Sequence, residues 1–197
     1  MEPIVARPKE FEPEEALEKA MRQFWTKGYH DTSIRDLVER TGVNYYGLYG
    51  EFDSKHGLFL AALDHYQRTV TAEALGELRK PGPIRRAIAR TFERLAKATL
   101  TPDGRVGCLM CNTAVEMAPS DPEAAEKFKA HTKMLRDAFR TKLAEGQQAG
   151  ELAADKDVGA LAEFLATTVY SAGFLTRSGF GEAYVARHLR TALTALG

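Results

Sequence analysis

The sequence predicts an all-α chain, and three observations predict it. Apolar residues recur at three- and four-residue intervals in each long segment, the spacing that lines one face of a helix. Residues 32–59, TSIRDLVERTGVNYYGLYGEFDSKHGLF, read as a short helix, a glycine turn, a second short helix, an aromatic brace and a longer helix. No run alternates apolar and polar residues for long enough to make a useful strand, and no internal repeat is present.

Each element has its own signals. Residues 1–11 carry Pro3 and Pro8 and are expected to form a flexible N-terminal arm. Pro13 suits the first turn of a helix, and Ala16, Leu17, Ala20, Met21, Phe24 and Trp25 make its apolar stripe as far as Gly28. Thr32 or Ser33 caps the next helix, whose Ile34, Leu37 and Val38 share a face. Gly42 supplies the left-handed residue that a helix end needs. Asn44 is a second N-cap, and residues 45–49 make little more than one turn, too short to persist without neighbours. Asp53 or Ser54 caps a longer helix carrying Leu58, Phe59, Ala62, Leu63 and Tyr66, running to about Leu78.

Lys80-Pro81-Gly82-Pro83 is the clearest break in the chain. Beyond it Ile84, Ala87, Ile88, Thr91, Phe92 and Leu95 form one helical face, and Thr101-Pro102-Asp103-Gly104 is a turn. Residues 108–117 read as helical. Asp121 caps a helix whose inner face holds Phe128, Leu135, Phe139 and Leu143, with Gly146 and Gly150 at a frayed end. Asp155 or Asp157 opens a helix through Leu175, with Leu161, Phe164, Leu165, Thr168, Val169 and Ala172 on one side. The last helix carries Val185, Leu189, Ala192, Leu193 and Leu196.

Two helices meeting steeply across a glycine turn form a helix-turn-helix, which places its second helix in a DNA major groove. The segment from about Ala16 to Phe59 resembles the DNA-binding domain of the TetR family of bacterial transcriptional regulators. The residues that carry the likeness are Ala16, Ala20, Phe24, Gly28-Tyr29, Thr32-Ser33, Ile34, Leu37, Gly42-Val43, Leu48-Tyr49, Phe52, Lys55, Leu58 and Phe59. The resemblance covers the first third of the chain. It implies a three-helix helix-turn-helix DNA-binding head, residues 12–68, and a larger helical ligand-binding and dimerisation body, residues 69–197, beyond the arm at 1–11. It also implies that the final two helices pair across a two-fold axis, which suits two half-sites about one turn of DNA apart. The run Asn44-Tyr45-Tyr46-Gly47 departs from the family's usual Ser, variable, small, Ser or Thr, and Glu51 stands where a His is common.

Charge argues against a strong electrostatic footprint. Residues 1–60 carry eight Lys or Arg against eleven acids, a net of −3, and the whole chain is neutral. Many of those acids cluster at residues 10–18, where the first helix can turn them to solvent, leaving Arg7, Lys9, Arg35 and Lys55 for the groove. The acidic N-terminus lacks the apolar core of a secretory signal, and residues 161–175, broken by Glu163, read as too short to span a bilayer. With only Cys108 and Cys111, no disulfide framework is present, and the expected setting is cytoplasmic with no membrane partner.

The expected DNA-binding residues are Thr32, Ser33, Arg35, Asn44, Tyr45, Tyr46, Gly47, Tyr49 and Lys55. A tyrosine there can pack on a thymine methyl or donate to phosphate; of the three, Tyr46 is the candidate for plain packing. Gly47 either permits a close approach or costs helix stability. In the body, Asn112 and Glu116 set polar groups among apolar neighbours, and Phe92, Leu95, Phe139, Tyr170 and Phe174 are candidate ligand walls that equally suit ordinary core. Cys108 and Cys111 serve either as inert packing or as redox or electrophile sensors. GCLMCNTAVE resembles a cysteine-containing subgroup of the family, some members of which sense through cysteine. His65, His131 and His188 are expected to be satisfied or exposed.

The leading reading is a ligand-responsive repressor, a homodimer through the last two helices on a palindromic double-stranded DNA operator, with an unidentified small-molecule effector. The alternative is a helical small-molecule-binding protein or enzyme with a vestigial head. No nucleophile-base pair, metal-ligand set or phosphate loop is evident, so neither catalytic residues nor cofactor nor metal is expected.

Overall fold

The computed structural model describes residues 11–101 and 104–197. The arm expected at 1–11 (all but Phe11), with Arg7 and Lys9, and the turn residues Pro102 and Asp103 lie outside the described residues.

The head is built from α1 (Pro13–Lys27), α2 (Ile34–Thr41), α3 (Tyr45–Phe52) and the start of α4 (Lys55–Tyr66). Gly42 adopts φ 76 and ends α2 by donating its N–H to the Val38 carbonyl. Of the two candidate caps for α4 it is Ser54 that accepts the Gly57 N–H, at 2.9 Å, while Asp53 makes the turn at φ 64. The recognition helix is longer than expected. Phe52 extends α3 to eight residues because its partly buried ring adds to the head core.

After Tyr66 the chain passes through a π turn (Gln67–Thr71), α5 (Ala72–Leu75) and a 3-10 turn (Gly76–Arg79). The body follows as α6 (Ile84–Ala98), a two-rung antiparallel ladder of β1 (Leu100–Thr101) with β2 (Gly104–Arg105), α7 (Leu109–Glu116), α8 (Pro122–Gln148), α9 (Val158–Arg177) and α10 (Glu182–Ala192). Asp121 caps α8 by accepting the Glu123 and Ala124 N–H groups, and Asp157 caps α9 by accepting that of Ala160.

The helix expected to run to about Leu78 thus ends its regular α part at Tyr66, and three further expectations are corrected. Gly146 is no frayed end: α8 runs on to Gln148, and Gly146 is buried where a Cβ would stand 2.5 Å from Ile84. Phe164 faces outward, 46% exposed, because the buried stripe of α9 runs through Ala162, Leu165, Val169 and Ala172. And α9 has 20 residues at mean hydropathy 1.4, long and apolar enough by composition to cross a membrane. Its stripe is instead spent on the body core, packed on α8 and α10.

Two apolar cores result. The body core gathers Ile88, Phe92, Leu135, Phe139, Leu165 and Val169. The head core holds Phe24, Trp25, Leu37, Leu48, Phe59 and Leu63, together with Val106, Leu109, Met110 and Met117 from beyond α6. The boundary expected near Thr69 falls in the π turn, yet α7 packs with the head. The head core is completed by the body.

Candidate nucleic-acid interface

Ser33 and Asp36 form a reciprocal capping box: Ser33 Oγ accepts the Asp36 N–H at 3.1 Å, and Asp36 Oδ2 accepts the Ser33 N–H at 2.8 Å. The Lys27 ammonium, 2.7 Å from Asp36, and these Ser33 bonds hold the Asp36 carboxyl well below the usual carboxylate range. Arg35, exposed on the first turn of α2, stands beside this cap.

Asn44 Oδ1 accepts the Gly47 N–H at 2.9 Å and starts α3. Leu48 is fully buried and anchors the helix. With that side fixed, Tyr45 and Tyr46 must point away, at 47% and 85% exposed. The Tyr45 ring lies 4.4 Å from Tyr49 and 5.6 Å from Tyr46, so the three make a contiguous aromatic surface. Tyr46 is therefore not the packing residue; the half-buried Tyr49 is the one that leans on the head core. Burial raises the Tyr49 phenol, and the Lys55 backbone amide beside it opposes that rise.

Gly47 meets a steric need. A Cβ there would stand 2.8 Å from Val43 Cγ1, so a side chain would push α3 off the turn that positions it. Lys55 opens α4 with its ammonium 4.3 Å above the Tyr29 ring, and desolvation lowers its pKa. Thr32 does not belong with the contacts: it is fully buried, and its hydroxyl donates to the Gly28 carbonyl at 2.6 Å. It braces the α1–α2 loop.

The short capped helix thus has a buried anchor, Leu48, and an exposed aromatic face. Residues 16–62 match the family model for bacterial regulatory proteins of the tetR family, and residues 83–193 match the tetracyclin repressor-like C-terminal domain. The chain belongs to the TetR family. An uncharacterized HTH-type transcriptional regulator of Bacillus subtilis, YezE, is 33% identical over 88% of this chain and 90% of its own length. The HTH-type transcriptional repressor ComR of Escherichia coli is 35% identical over 88% and 83% respectively. Among solved structures, a cysteine mutant of the TetR family regulator CifR complexed with 26-bp double-strand operator DNA matches with a TM-score of 0.87. It is 26% identical, over 98% of this chain and all of that one.

The body of this TetR-family chain does not gather the expected ligand residues into one cavity. Asn112 Nδ2 donates to the Val106 carbonyl at 2.9 Å and fixes the loop before α7. Phe139 and Leu95 are buried, and Phe92 packs against Phe139 with centroids 5.9 Å apart, which fills the centre of the body. Tyr170 bonds His131 Nδ1 and Thr132 Oγ1, each at 2.8 Å, and Phe174 is 62% exposed. Glu116 points to the head, where its carboxylate accepts the N–H groups of Tyr29 and His30 at 3.1 and 2.7 Å. Nothing in the local sequence marks Glu116 as a junction residue, because its partners are backbone amides some 86 residues away.

The two cysteines flank the start of α7. Cys108 precedes α7, buried, with the Tyr66 hydroxyl 3.7 Å from its sulfur. Burial raises the Cys108 thiol and pushes Cys111 up to about 11, and the cation near Cys111 is Arg177; Arg105 instead donates to the Gly179 and Phe180 carbonyls. Such thiols stay protonated at neutral pH and are weak nucleophiles. His65 bonds Glu18 through Nε2, with Glu14 3.1 Å from its Nδ1, which makes no hydrogen bond; His131 bonds Thr71 and Tyr170, and His188 bonds Ser171. Among the described residues His56, Asp121 and Glu123 alone bring ligand atoms close enough to share a cation. His56 already bonds Asp121 at 2.7 Å while Asp121 caps α8, so the group is complete as a head-to-body clasp.

Proposed function

We propose that this TetR-family regulator is a transcriptional repressor that binds a palindromic double-stranded operator as a homodimer and releases it in response to a small molecule. The observation that carries the reading is the aromatic surface of Tyr45, Tyr46 and Tyr49, held outward by the buried Leu48. On this reading Tyr45 and Tyr46 meet base edges or thymine methyls. Ser33, Arg35 and Asn44 line the flanks, and Lys55 addresses a phosphate at the start of α4. ComR is named a repressor, and the CifR structure contains operator DNA, which supports both the partner and the direction of control. Exposed Phe164 and Phe174 on α9, with Phe180 and Tyr184 at α10, support pairing of the last two helices with those of a second copy. The family's members are DNA-binding regulators, which supports a cytoplasmic setting without catalytic chemistry.

A gel-shift with the DNA flanking the protein's own gene tests this. A retarded band at low salt, which Tyr46→Ala weakens, is the expected result. A folded dimer that retards no flanking DNA overturns the reading.

A further inference from the structure

Of the expected ligand residues only Phe92 lines the cavity of about 460 Å³ that lies between α6 and α10. It falls within the usual range for small-molecule sites, and is roughly three times the 150 Å³ that accommodates benzene in an engineered core. Phe92 of α6 and Val185, Leu189 and Leu193 from α10 onward make its apolar walls, and small residues at Ala89, Ala96 and Ala186 leave the space between the helices open.

The two helices run antiparallel. Arg85 at the start of α6 donates to the carbonyl of Gly197, 2.8 Å away, just beyond the end of α10. The other end of the cavity therefore joins the last turn of α6 to the first turn of α10. The charged lining as a whole is Lys97, Arg105 and Arg190 against Glu93 and Glu182, a surplus of one positive charge, with Lys97, Arg105 and Glu182 at this end and Glu93 one turn before Lys97. Among the described residues no carboxylate comes within ion-pairing distance of Lys97 or Arg105. Arg105 is also pre-positioned: one guanidinium nitrogen donates to the Gly179 and Phe180 carbonyls at 2.5 and 3.3 Å, which fixes the plane of the group. In addition α10 starts at Gly181 with no side-chain cap on its first amides.

We propose that this cavity binds a small organic carboxylate with an apolar body, its carboxylate held by Arg105 and Lys97 and its body lying along Phe92, Val185 and Leu189. The proposal rests on the ligand-responsive reading above and names the effector's class and place. It also supplies a route to the head. Arg105 leads directly into Val106 and Gly107; the Gly107 carbonyl accepts the indole N–H of Trp25 at 2.9 Å, and Trp25 lies in α1. One short segment thus touches the cavity at one end and the DNA-binding head at the other. Binding biases the head only through a difference in affinity between two positions of that segment.

Octanoate is the test ligand, with octanol and octylammonium as charge controls, titrated into the full chain by calorimetry. Trp25, the only tryptophan, gives a fluorescence readout of the segment. The expected result is saturable binding of one octanoate per chain, at least tenfold tighter than octanol and with no binding of octylammonium, and a shift in Trp25 emission. Arg105→Gln should weaken octanoate about tenfold and leave octanol unchanged; Lys97→Gln, on an exposed site, gives the same direction should Arg105→Gln fail to fold. Octanol binding as tightly as octanoate, retained octanoate affinity in both variants, or no saturable octanoate binding overturns the proposal. Octanoate that saturates the cavity yet leaves operator affinity unchanged supports the carboxylate site and overturns ligand control through it.

Discussion

His131 is nearly fully buried, bonded to Thr71 and Tyr170 and facing the Tyr66 ring, and desolvation lowers its pKa to about 4. The unfolded chain takes up that proton near pH 6.5 and the folded chain refuses it until about pH 4. Stability therefore falls as pH drops through that window, by up to about 3 kcal/mol from this group. Thermal melts at pH 7 and pH 5 should show a smaller loss in His131→Gln than in the parent. At the same scale, Tyr46→Ala removes a side chain that is 85% exposed. It should leave the melting temperature unchanged while weakening operator affinity by about 1 kcal/mol or more, measured by fluorescence anisotropy. Cys111, pushed up to about 11, should react with iodoacetamide at pH 8 on the order of a hundredfold more slowly than free cysteine.

At the scale of elements, the joint between α3 and α4 is the tightest place in the head. Gly57 sits in the first turn of α4, where an added Cβ would meet the Phe52 carbonyl oxygen, and backbone cannot move aside as a side chain can. Gly57→Ala should therefore destabilise the chain by roughly 1–3 kcal/mol despite alanine's better helix propensity, a difference read from denaturant midpoints. Helix identity was legible because capping residues and apolar spacing are local. Ser33, Asn44, Ser54, Asp121 and Asp157 all cap where the sequence offers them. Outward faces were less legible. Phe164 and Leu165 are equally apolar neighbours, and only the position of α8 and α10 sends one out and the other in.

Across the whole molecule, head and body are joined by specific polar contacts as well as a shared core. Glu116 receives the Tyr29 and His30 amides, His56 bonds Asp121, and Lys127 pairs with Asp64 at 2.6 Å. Glu116→Gln leaves one of those amides opposite a donor. It should cost about 1–2 kcal/mol and raise hydrogen exchange at Tyr29 and His30 above the rest of the head. Among the described residues four further cations of the head are partly neutralised, Lys19 by Glu15, Arg22 by Glu18, Lys27 by Asp36 and Arg68 by Glu14. Operator binding should accordingly show a shallow dependence on salt, with a log–log slope of magnitude below about 5.

The sequence alone determined which segments are helical, which residues cap them, the helix-turn-helix and the aromatic content of its second helix, because each is written in residues a few positions apart. Tertiary packing decided which of three tyrosines stand free, that Thr32 turns inward, that Glu116 serves the head, and where the body keeps an open cavity. Those outcomes depend on partners far along the chain, and whether helices touch or leave space between them is a property of their volumes and crossing geometry, which no local spacing encodes.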